Sequence, residues 1–179
     1  MGNVYIFRGK AGTGKTTLSD MLAKELSVPV IRKDDIVDAL KMTETTDKEL
    51  INNAVCYNIL YKIIQTNLDL HTDFIVDIGL GDRDSFKWFF DRFNFNDNKI
   101  ITFFVICSDE IEWRKRHEER IKNPKPHQIF KSYEHVVEHY MIRNVTPFEH
   151  EHIIDTACML EESFETIIKI INKESESKK

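Results

Sequence analysis

Eight residues near the start of the chain, Gly9-Lys10-Ala11-Gly12-Thr13-Gly14-Lys15-Thr16, hold three of its six glycines and follow the apolar run VYIFR of residues 4–8. The stretch fits the pattern G-x-x-x-x-G-K-[ST], with Gly9, Gly14, Lys15 and Thr16 on the fixed positions. An anion is held well where several backbone N–H groups converge, and the chain must then bend through conformations that a Cβ at Gly9, Gly12 or Gly14 would obstruct. A helix beginning at about Lys15 adds free N–H groups and a partial positive charge of roughly half a unit. The pattern therefore demands a strand, a tight turn and a helix in that order. Gly9, Ala11, Gly12, Thr13, Gly14, Lys15, Thr16 and Thr17 form the expected phosphate cradle. Lys15 is placed to reach the β- and γ-phosphates and the Thr16 hydroxyl to ligate Mg²⁺.

The rest of the chain repeats that alternation. Apolar runs at 4–8, 28–32, 73–78, 99–107 and 152–156 read as five strands, and near-continuous apolar runs indicate a parallel sheet buried on both faces. Helical patterns fall at 15–26, 34–41, 47–70, 83–93, 109–122, 132–144 and 160–173. The long one carries Ile51, Val55, Ile59 and Ile63 at spacing four and opens on a capping box, Thr46 with Glu49. This is an α/β layer architecture with right-handed crossovers. Two prolines break the helical pattern in 122–131, which reads as a mobile loop. Residues 1–173 are expected to form one domain, with 174–179 as a disordered tail.

Composition limits the setting. No segment has the roughly 18 unbroken apolar residues of a membrane span, and there is no basic region ahead of an apolar run to act as a secretory signal. Cys56, Cys107 and Cys158 are odd in number and far apart, as befits free thiols in a reducing compartment, so the cytoplasm is expected. The net charge is −5, yet residues 113–131 hold seven Lys/Arg against two acids. A local basic patch on an acidic chain suits a small anion better than a nucleic-acid track.

Further candidates follow from the strand ends, because ligands of open α/β sheets lie outside the carboxyl edge. The second strand runs into Arg32-Lys33-Asp34-Asp35. A carboxylate there can take or orient the proton of a hydroxyl attacking the γ-phosphate. Asp34 is read as that base and Asp35 as a substrate contact; a helix N-cap is the other role open to either. Arg116 and Arg120, four apart, share one helix face and suit phosphate oxygens. They are read as catalytic arginines of a helical lid over about 113–131, with Arg120 preferred, against a solvated face pairing with Glu112 and Glu119. Asp77 ends the third strand, where it can contact acceptor or metal-bound water, or cap the turn. Arg83 can bind substrate or nucleotide, or lie on its helix surface. Tyr57 and Tyr61 can line an acceptor pocket, or pack on the core.

These motifs in this order resemble the small P-loop kinases related to the kinase domain of polynucleotide 5′-kinase, zeta toxins and chloramphenicol phosphotransferase, from about residue 4 to 171. The matched features are the glycine-rich loop, Asp34 and Asp35 in RKDDIV, Asp77 and Arg83 in VDIGLGDRDSF, Arg116 and Arg120 in RKRHEER, and IIDT at 153–156. The resemblance implies a three-layer P-loop fold with a central five-stranded parallel sheet, ATP as donor, and phosphoryl transfer to a hydroxyl. Position 37 is Val37 where polynucleotide kinases carry an arginine, which sets a small-molecule acceptor ahead of a nucleic-acid 5′ end or a nucleotide sugar.

HVVEH at 135–139 matches H-x-x-E-H, and His135 and His139 share a helix face, but proteases of that pattern need a far longer chain. A guanine-nucleotide switch lacks its N/T-K-x-D tetrapeptide. A motor ATPase needs an acidic pair directly after a strand, and Asp109 and Glu110 come two residues late. A silent nucleotide holder does not need Lys15, Thr16 and Asp34 together.

Overall fold

The computed structural model describes residues 1–42 and 53–176. Its first strand, β1 (Asn3–Arg8), alternates Val4 and Ile6 toward one layer with Tyr5 and Phe7 toward the other, all buried. A strand wrapped on both faces belongs at the centre of a sheet, and β1 lies there. The order is β2-β3-β1-β4-β5 with every pairing parallel. The other strands are β2 (Val30–Arg32), β3 (Phe74–Asp77), β4 (Lys99–Ile106) and β5 (His152–Asp155).

Helices cover both faces. Leu18 and Leu22 of α1 (Lys15–Leu26) and Ile167 and Ile171 of α7 (Leu160–Glu176) pack with Tyr5, Phe7, Phe103 and Ile154. On the opposite face, Leu60, Ile64 and Leu68 of α3 (Asn53–Asp69) meet Val4, Ile6 and Val76. Phe86, Phe89 and Phe90 of α4 (Arg83–Phe90) join them with Phe93, ring centroids 4.3–5.5 Å apart along this cluster. Each such side chain stabilises the fold by ~1.5–3 kcal/mol through burial. Three helices border the carboxyl edge: α2 (Lys33–Met42), α5 (Glu110–Lys122) and α6 (Tyr133–Met141).

Two expectations need correction. The stripe of α3 that meets the core is Cys56, Leu60, Ile64 and Leu68, one residue on from the isoleucine series. Ile59 and Ile63 face out, because Tyr57 and Tyr61 flank the buried stripe and use that side of the helix against the phenylalanines. Ile51 and the Thr46–Glu49 box lie outside the described residues. At the other end, α7 continues to Glu176 and so includes the first three residues of the expected tail; Ser163, Ile167 and Ile171 keep its inner face on the core. No helix among the described residues is long and apolar enough to cross a membrane.

Candidate active site

The turn between β1 and α1 has the backbone that the glycines anticipate. Gly9, Gly12 and Gly14 take φ of 138°, 78° and 89°, the left-handed side where side chains are strained. A Cβ on Gly9 would stand 2.2 Å from the Val105 carbonyl oxygen, and one on Gly12 would stand 2.6 Å from Nε2 of His117. Gly14 caps α1 without any side-chain acceptor, so the first-turn amides of the helix are left for an anion.

What fixes this turn comes from far along the chain. The Ala11 carbonyl accepts from Trp113 Nε1 at 2.8 Å and from His117 Nε2 at 3.0 Å, and the Ala11 amide donates to the Tyr140 hydroxyl at 2.7 Å. Burial lowers the His117 pKa, and Arg120 and Lys15 lower it further, which favours the neutral ring with its hydrogen on Nε2. The buried Thr156 hydroxyl reaches the Thr13 carbonyl at 2.9 Å. Directly before the loop, Arg8 is enclosed completely: it donates to Glu151 at 2.7 Å, to the Gly81 carbonyl at 2.8 Å and to the Thr146 carbonyl at 2.6 Å. A buried charge is tolerated only when paired in this way.

A cleft of about 780 Å³ opens above the loop, and Lys15, Thr16, Asp34, Asp35, Asp77 and Arg120 all line it. Lys15 is 8% exposed and donates to the Lys10 carbonyl at 2.7 Å. Burial lowers its pKa to about 8, against the opposing pull of Asp77. Thr16 is exposed, so its hydroxyl is open to a metal ion. Asp77, at the end of β3, accepts from Arg32 Nε at 3.3 Å and Ser19 Oγ at 3.4 Å. Asp34 and Asp35 open the first turn of α2 and are both exposed.

The other expected site residues divide. Arg120 faces the cleft with no hydrogen bond to its guanidinium among the described residues. Arg116 is tied down instead, donating to Glu112 at 3.0 Å, to Thr156 Oγ1 at 2.9 Å and to the Thr156 carbonyl at 2.8 Å. It does not line the cleft. Arg83 is also turned away: it donates to the Pro147 carbonyl at 3.0 Å and stacks 4.1 Å over Phe148. The segment expected to be a mobile loop is docked. His127 Nδ1 stands 2.8 Å from Asp38 and Lys41 donates to the Pro126 carbonyl at 2.6 Å. Val37 forms part of the cleft wall. His135 and His139 set their rings edge-on to Phe130.

A second cavity, about 300 Å³, joins the first at Gly79, His139 and Tyr140. Tyr57, Trp88 and Arg143 form its walls. Tyr57 packs partly on the core and partly on this cavity.

The model of a family described as AAA domain matches residues 4–141. The chain belongs to this AAA_33 family. No curated protein gives a significant sequence match. Solved structures share the fold over nearly the whole chain. A candidate kinase from Chloroflexus aurantiacus j-10-fl aligns at a TM-score of 0.76 and 19% identity, over 98% of this chain and 97% of that one. A sugar kinase from Janibacter sp. HTCC2649 aligns at 0.63 and 12%, over 96% and 95%. The APS kinase of Mycobacterium tuberculosis, solved with AMPPNP and APS, aligns at 0.63 and 10%, over 96% and 98%. At these identities the likeness establishes the fold: this AAA_33 member has the architecture of the small P-loop kinases.

Sequence reading did not single out Trp113, His117, Tyr140, Arg32 or Asp38. Their partners lie on distant segments, which no local sequence pattern records.

Proposed function

We propose that this chain is an ATP·Mg²⁺-dependent phosphotransferase that moves the γ-phosphoryl group to a hydroxyl of a small molecule. One observation carries the reading: the glycine loop with Lys15, the carboxylate of Asp34 and the guanidinium of Arg120 face one cleft. Phosphoryl transfer asks for little beyond those three. Backbone amides and Lys15 hold the triphosphate, a carboxylate receives the hydroxyl proton, and an arginine offsets charge on the transferring group. Thr16 would hold Mg²⁺, which would supply positive charge to offset that of the phosphates. Asp77, beside Lys15 and braced by Arg32, offers a carboxylate to the acceptor or to metal-bound water.

The acceptor enters from the smaller cavity, whose size suits a metabolite better than a polynucleotide strand. Tyr57 and Trp88 offer flat apolar walls there, and Arg143 offers a cation. The setting proposed is a reducing cytoplasm, where Cys56, Cys107 and Cys158 stay free thiols. A screen of ADP release against a panel of hydroxyl compounds, with a 5′-hydroxyl oligonucleotide included, tests the reading. Stimulation by a small hydroxyl compound is expected. Release that no acceptor stimulates would make the chain an ATPase, and stimulation by the oligonucleotide alone would move the acceptor to nucleic acid.

A further inference from the structure

After α5 the chain makes a closed turn in which Gln128 N donates to the Lys125 carbonyl at 3.0 Å and Lys125 N donates to Gln128 Oε1 at 3.1 Å. Pro126, with its fixed φ, occupies the second position of that turn and His127 the third. A stiff turn presents His127 to one face of α2, where Asp34, Asp38 and Lys41 follow at spacings of four and three. Lys41 holds the Pro126 carbonyl at 2.6 Å. The ring stands between the two acids, with Nδ1 2.8 Å from Asp38 Oδ2 and Nε2 3.5 Å from Asp34 Oδ2.

A carboxylate only accepts, so the short contact with Asp38 puts a hydrogen on Nδ1. That leaves Nε2 as the ring atom that takes up or gives off a proton, and it faces the residue read as the base. Asp38 Oδ1 is buried with no hydrogen-bond partner among the described residues. A carboxylate short of partners is satisfied best when the ring beside it is positively charged. Arg120 on α5, Lys125 on the turn itself and Lys41 on α2 share the cavity with the ring, as do Asp34 and Asp38.

We propose that His127 is a positioning residue for the transfer, acting through Asp34 as the next carrier of the acceptor's proton; this rests on Asp34 being the base. The acceptor oxygen bonds to the γ-phosphorus while the bond from phosphorus to the β,γ-bridging oxygen breaks, its electron pair leaving with ADP. The hydroxyl proton passes to a carboxylate oxygen of Asp34 and then to Nε2 of the neutral ring. An imidazolium results, held by Asp38, and its partly exposed ring returns the proton to water.

Two measurements test this. In nitrogen-15 NMR of the ligand-free protein at pH 8.5, the His127 ring is expected to carry its hydrogen on Nδ1; a hydrogen on Nε2 alone overturns the proposal. The second measures single-turnover ADP formation from ATP·Mg²⁺ between pH 5 and 9, with water as the acceptor. The wild-type rate is expected to rise with pH across the range in which histidines lose their charge. His127→Ala should be ~10-fold slower at pH 8 without that rise, bind ATP within about 2-fold of wild type, and recover speed when imidazole is added. His127→Gln, which keeps a polar group against Asp34, should be slowed alike. If both variants keep the wild-type rate and pH dependence, or are slow with that dependence unchanged, His127 is only a strap and the relay fails. Asp34→Asn separates the two readings. A wild-type rate in that variant removes the base itself, whereas a dead Asp34→Asn beside an unchanged His127→Ala removes the relay alone.

Discussion

The corners after β1 and after β2 both carry a strand into a helix at the same sheet edge, yet they are built from different material. After β1 the working groups are backbone amides, and the side chains there are mostly absent. Three glycines with positive φ leave room for an anion, and the shape is imposed by Trp113, His117, Tyr140 and Thr156. After β2 the chain presents side chains instead, Asp34 and Asp38 with Lys41 further along α2, against a turn that arrives from α5. In the function proposed, the first corner would hold the phosphate and the second would act on it.

Lys15→Met strikes the first corner hardest: ATP·Mg²⁺ affinity should fall at least ~100-fold, measured by calorimetric titration. The same variant should change the pH dependence of stability. Burial lowers the Lys15 pKa from 10.5 to about 8, so the charged form is the one the fold disfavours. Between those values the unfolded chain binds the extra proton, and wild-type stability should rise with pH by up to about 3 kcal/mol. In the variant that rise disappears from urea titrations run at pH 8 and 10. Asp34→Asn should leave ATP affinity unchanged and slow transfer by ~10²–10⁴. Equal damage to both quantities would erase the distinction between the corners.

The two arginines of α5 sharpen it. Arg120→Ala is expected to slow transfer by ~10²-fold or more with the melting temperature unchanged. Arg116→Ala should lose ~1–2 kcal/mol of stability through its bonds to Thr156, seen in thermal melts, with a smaller effect on transfer. Gly12→Ala should cost about 1–3 kcal/mol as its Cβ displaces His117, and weaken nucleotide binding several-fold.

The glycine loop was legible because few sequences can make that turn, so position and chemistry come together. The five strands were legible because burial on both faces leaves continuous apolar runs. Aspartates are a weaker text. Asp34 and Asp77 were marked by their place at strand ends, and both line the cleft, whereas Asp38 meets His127 only across 89 residues of chain. Arg83 and Arg116 were found as arginines and assigned to the ligand. The fold gives them to Pro147 and Thr156 instead, because a guanidinium satisfies a carbonyl as readily as a phosphate. The stripe of α3 was displaced by one residue because aromatic neighbours, rather than helical period alone, choose the inward side.

Arg8 and Thr13 find Glu151 and Thr156 across 143 residues each. During synthesis the loop of residues 9–16 is made long before the side chains that shape it, so nascent chains that stop short of Thr156 are expected to hold nucleotide poorly.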